Sequence, residues 1–145
     1  MLRGKYVVGV AVVALLAAGC ASFSAPKDCG VGGTADEAAF SQFFQSMELV
    51  DQETGSPGAE GEEGAEFEPG APLVIRYESV QAVELRVCIM ERAGGGQIVF
   101  DETRGLEAGE GEFALGELVP GAYVARVSVG GVLVKNFAFE IKLSL

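Results

Sequence analysis

The chain has 145 residues, and its 21 aspartates and glutamates outweigh 10 lysines and arginines to give a formal net charge of −11. So acidic a chain repels phosphate backbones and anionic lipid surfaces, which excludes nucleic-acid binding and leaves no basic patch to hold a membrane. It contains no histidine and no tryptophan. Ser-His-Asp and Cys-His catalysis are therefore excluded, the commonest transition-metal ligand is missing, and a sugar site would lack its broadest aromatic platform.

Arg3 and Lys5 precede an unbroken apolar run from Tyr6 to Ala18, and Gly19 leads into Cys20. A positive end, an apolar segment and small residues before a cleavage point follow the order of a secretory signal. The run is shorter than the roughly 20 apolar residues a transmembrane helix needs. An ordinary secretory peptide with a chance cysteine, or an uncleaved anchor, is the alternative reading. The ending Leu16-Ala-Ala-Gly-Cys20 resembles the lipobox of bacterial lipoproteins, with Ala17 where leucine is most frequent. The resemblance implies that residues 1–19 are removed and that Cys20 becomes the first mature residue and carries the lipid, palmitate among its acyl chains. The protein would then be anchored to the cell membrane or outer membrane, facing periplasm or exterior. Ala21 after the lipid cysteine goes, in such lipoproteins of diderm bacteria, with outer-membrane sorting. Several acyl chains hold a protein far better than one.

Residues 20–33 are small, polar and glycine-rich, and suit a flexible tether. With Cys20 acylated, Cys29 and Cys88 remain as an even pair in an oxidising compartment, so a Cys29–Cys88 disulfide is expected; two free thiols are the alternative. Two thiols without histidine make no zinc site. Thr34 with Glu37 three residues on matches a capping box, and Phe40, Phe43, Phe44 and Met47 follow at helical spacing, which predicts a short amphipathic helix within residues 34–50. Its stripe either packs on the following domain or docks a partner. The stretch Met47–Asp51 extends the helix or begins a first strand.

Residues 51–70 carry Glu60, Glu62, Glu63, Glu66 and Glu68 among glycines and prolines, the composition of a solvated loop. Calcium binding is the functional alternative, although the acids lack the Asp-rich spacing of known calcium loops. From Leu73 the period becomes two. Leu73–Tyr77, Val83–Ile89, Gln97–Asp101, Glu112–Leu115, Ala122–Val129 and Val132–Leu143 read as strands, with turns at 93–96 and Gly130-Gly131 and a Gly/Glu loop at 106–111. The glycines at 94–96 could suggest a phosphate cradle, but no helix or lysine follows them. Alternation puts Glu84, Arg86 and Cys88 opposite Val83, Leu85, Val87 and Ile89, and therefore off the main core face. In the last strand Phe137, Phe139, Ile141 and Leu143 share a face. Residues 71–145 are expected to form an antiparallel immunoglobulin-like β-sandwich of six to seven strands.

Leu118-Val-Pro-Gly-Ala-Tyr123 resembles the Leu-x-Pro-Gly-x-Tyr element of immunoglobulin-like and fibronectin type III-like bacterial domains. The resemblance implies a tyrosine corner at Tyr123 and carries no catalytic residue. The expected function is that of a noncatalytic envelope lipoprotein whose sandwich is a protein-interaction or structural module, with an envelope protein as partner and no cofactor. A glycan- or calcium-binding module is the alternative. Asp101, Glu102 and Glu112 could supply paired carboxylates for glycoside chemistry only if two of them share a cleft.

Overall fold

The computed structural model describes residues 29–93 and 96–144; the signal segment, Cys20 and most of the tether lie outside the described residues. Among the described residues one helix, α1 (Glu37–Phe43), precedes nine strands: β1 (Phe44–Asp51), β2 (Ala59–Gly61), β3 (Gly64–Phe67), β4 (Leu73–Ser79), β5 (Val83–Glu91), β6 (Ile98–Leu106), β7 (Gly109–Gly116), β8 (Gly121–Val129) and β9 (Val132–Ile141). They form a three-stranded sheet, β1-β4-β7, and a six-stranded sheet, β2-β3-β9-β8-β5-β6. Without the β2–β3 hairpin, seven strands divide three against four in immunoglobulin-like order, with an extra strand beside the third-strand position and none beside β7. Period-two alternation turns Leu85, Val87 and Ile89 of β5, Tyr123, Ala125 and Val127 of β8, and Phe139 and Ile141 of β9 inward. They share one core with Leu49, Leu73, Ile75 and Phe113 of the smaller sheet. Gly130 and Gly131 both have positive φ, as a two-residue type I′ turn requires, and they join β8 to β9.

The N-terminal helix is shorter than its sequence suggests. Asp36, not Thr34, caps it, accepting a hydrogen bond from the Ala39 N–H at 3.0 Å. The chain turns extended at Phe44. The helical spacing of Phe40, Phe43, Phe44 and Met47 comes from two different elements. Phe40 and Phe43 pack from α1 against the core, while Phe44 and Met47 lie on β1. A register shift between Phe44 and Ser46 lets Phe44 and Met47, three apart, face the same way.

The acidic stretch is not a solvated loop either. It folds into the β2–β3 hairpin, and β3 adds to β9 in parallel over Ala65–Phe67. Burial of Phe67, edge-on to Phe139 at 6.2 Å, stabilises the addition. Residues 106–111 likewise pair more than expected. Gly109, Glu110 and Gly111 sit opposite Ser79, Glu78 and Tyr77, which leaves only Glu107 and Ala108 to join β6 to β7. The last strand stops at Ile141, and Leu143 is exposed.

Gly64 tests the β3 addition. Its φ is +109°, and a Cβ there would collide with the Ala138 carbonyl of β9. Gly105 has open space around its Cβ position and an ordinary φ. Gly64→Ala should destabilise by about 2 kcal/mol or more, while Gly105→Ala stays within about 0.5 kcal/mol of the parent. Urea denaturation compares the two, and equal midpoints would remove the β3–β9 contact from the account.

Candidate functional site

The most developed local arrangement lies on the outer face of the six-stranded sheet. Cys29 and Cys88 are bonded across 59 residues with Cα atoms 5.9 Å apart. Both are fully buried, and neither belongs to the inter-sheet core. The alternation along β5 explains this: Cys88 points away from the smaller sheet and meets the chain that crosses over it. Residues 29–36 form a strap across that face. Arg86, two residues before Cys88, is its buckle. Its Nη1 donates to the Cys29 carbonyl at 2.7 Å, while Nε and Nη2 donate to Oδ1 and Oδ2 of Asp101, both at 2.9 Å. Such a fork fixes a guanidinium in plane and aim. Hydrogen bonding to Asp101 pushes the Arg86 pKa up, burial opposes it, and the Asp101 charge adds to the rise. Further on, Gly32 passes beside Arg126, and the Asp36 N–H donates to the Leu133 carbonyl at 2.8 Å. Sequence reasoning did not single out Arg86 or Asp36. The signal available for Arg86 was its place on the Cys88 face of β5.

Tyr123 opens the inner face of β8. Its ring stacks on Phe139 at 5.5 Å and 27°, and its hydroxyl donates to the Val119 carbonyl, closing the Leu118–Gly121 corner. Burial, then the Glu91 charge, raises its pKa.

The carboxylates weighed for catalysis are separately engaged. Asp101 holds Arg86, Glu102 holds Arg104, and Glu112 holds Arg76, so no two share a partner. Arg104 also lies over the Phe113 ring, 4.2 Å from its centroid. Within the acidic stretch, Glu63 pairs with Arg92 at 3.7 Å, and Glu66 and Glu68 pair with Lys142 at 3.7 and 3.4 Å. Among the described residues no group of three His, Cys, Asp or Glu could hold a metal.

Two open grooves lie on the surface of the described residues. One, about 610 Å³, crosses the outer face of the three-stranded sheet, where Arg76 is set among Glu48, Glu78, Glu110 and Glu112. The other, about 670 Å³, runs between the strap, α1 and β9 and is lined by Thr34, Phe40, Lys135 and Asn136. Lys135 extends over the Phe40 ring at 5.3 Å, and Asn136 Oδ1 is buried without a hydrogen-bond partner. Among the described residues no helix is long and apolar enough to cross a membrane. No protein-family model matches the chain, and no curated protein shows significant similarity to it.

Two measurements follow from this geometry. Replacing the bridge in Cys29→Ser/Cys88→Ser should lower unfolding free energy by about 2–5 kcal/mol, because the crosslink closes a long loop in the unfolded chain; an unchanged urea midpoint would deny the bridge any structural role. The second concerns pH. A buried phenol ionises at higher pH in the folded than in the unfolded chain. Above the ordinary tyrosine value of 10.0 the unfolded state therefore holds fewer protons, and stability falls as pH rises. Tyr123→Phe should lose about 1 kcal/mol at neutral pH and show a shallower alkaline decline. Urea titrations below and above that pH would reveal both effects.

Proposed function

We propose that the protein is a noncatalytic, lipid-anchored lipoprotein of the bacterial cell envelope, with its sandwich serving as a protein-interaction or structural module. The observation that carries this reading is the Cys29–Cys88 bridge. It takes two of the three cysteines and leaves Cys20, directly after the small-residue end of the apolar run, as the thiol for acylation. A buried disulfide also suits a protein exported to an oxidising compartment. The domain's own shape supports the module role. β7 ends the three-stranded sheet, and an edge strand can recruit an extended segment through main-chain hydrogen bonds. The acidity of the surface favours a partner with basic character over nucleic acid or bare anionic lipid. The chain would be held at the cell membrane or outer membrane, facing periplasm or exterior.

Intact mass of the protein purified from membranes without reductant tests the anchor. The expected species begins at Cys20, carries added acyl mass and is two hydrogens lighter than the fully reduced form. A mature chain with no acyl mass would make it a freely secreted protein and end the lipoprotein reading.

A further inference from the structure

We propose that the strap and its disulfide form an orientation lock, holding the outer face of the six-stranded sheet toward the membrane and the outer face of the three-stranded sheet away from it. The proposal rests on lipidation at Cys20 and adds to it a direction.

The argument is one of reach. Cys29 is fixed to β5 on the outer face of the larger sheet by the bridge and by the Arg86 hydrogen bond. Nine residue steps separate it from Cys20. Whatever their conformation, they span at most about 32 Å. A domain of this size is about 35 Å across, so a path from one sheet's outer face round the flank to a bilayer lying against the other's is about 45 Å. The locked tether is too short for that path, and the three-stranded sheet cannot be laid on the bilayer that holds Cys20. With the bridge open and the strap lifted, the first attachment becomes Asp36, through its N–H to Leu133 and its cap on α1. The tether then has sixteen steps and a limit of about 58 Å, and it starts from the flank beside β9 rather than from the face. The restriction disappears.

Charge acts in the same direction. The outward positions of β1, β4 and β7 place one cation, Arg76, among Glu48, Glu78, Glu110 and Glu112. The outward positions of the larger sheet carry Arg86 and Arg126 against Glu66, Glu84, Asp101 and Glu140. An anionic headgroup surface repels the first face more than the second. The locked arrangement therefore leaves the acidic groove and the β7 edge open to a partner on the side away from the lipid.

The absence of tryptophan makes the test direct. Thr103→Trp on β6 and Glu48→Trp on β1 each introduce a single donor at an exposed position on the outer face of one sheet. The full acylated protein is inserted into vesicles of phosphatidylglycerol and phosphatidylethanolamine with a dansyl headgroup acceptor. Energy transfer from Thr103→Trp should exceed that from Glu48→Trp several-fold. In the Cys29→Ser/Cys88→Ser background the two should converge. A variant with ten Gly/Ser residues inserted before Asp28 keeps the bridge while lengthening the tether, and should converge as well, even if the double serine variant does not fold. Equal transfer from both positions in the bridged, vesicle-bound protein would overturn the lock and leave the anchor standing. Failure of the acylated protein to bind vesicles would overturn both.

Discussion

Three strands packed against six leave apolar surface uncovered at both flanks of the larger sheet, because each layer of a sandwich buries only what its partner overlaps. At the β9 flank, α1 fills the gap. Phe40 and Phe43 pack onto the core, and Phe40 continues into Phe44, their ring centroids 5.7 Å apart. On the far side of β9, Phe67 arrives on β3 and meets Phe139. At the β6 flank the closure is partly polar. Phe100 meets Phe113 edge-on, and Arg104 lies over the same ring while pairing with Glu102. An inward-facing charge on an edge strand also makes that edge a poor template for a second chain. The helix, the hairpin and the edge arginine thus answer one geometric mismatch.

That mismatch explains which parts of the fold were legible in the sequence. The strands of the two overlapping layers read clearly because water on one side and core on the other impose alternation, as in Val83–Ile89 and Ala122–Val129. The bridge was legible for the same reason, since alternation puts Cys88 on the face opposite Val87. The flanks were not. Phe44 and Met47 imitate a helical stripe because a bulge shifts the strand's phase, and no local signal distinguishes that from a true period of 3.6. In residues 59–67 glycine and glutamate disfavour strand formation locally, and pairing with β9 overrides that preference. Glu63 and Glu66 there pair with Arg92 and Lys142, which are far off in sequence and close only after folding. Arg86 was legible in placement and not in role, because the strap's acceptor for it is a backbone carbonyl of a glycine-rich segment with no pattern of its own.

The two outer faces consequently differ in kind. On the smaller sheet the outward rows bring Glu48, Arg76 and Glu112 into register, with Glu78 and Glu110 in the next row, open to solvent in a shallow groove. On the larger sheet the chain's own N-terminal segment occupies the corresponding place, held by sulfur at one end and by a backbone hydrogen bond at the other. One face is furnished by the protein itself, the other is left for whatever meets it.

The position of the bridge also decides how the domain bears load. β5 has β6 on one side and β8 on the other, so it is held by two ladders of backbone hydrogen bonds. A pull on the N-terminus enters the domain at Cys88, in the middle of that strand, and is shared between both ladders at once. Without the covalent link the same pull would arrive at the hydrogen bond from Arg86 to Cys29, then at the bond from Asp36 to Leu133 and at a seven-residue helix, which would come away one contact after another. The bridge turns a seam that could be unzipped from its end into a rivet through the centre of the sheet.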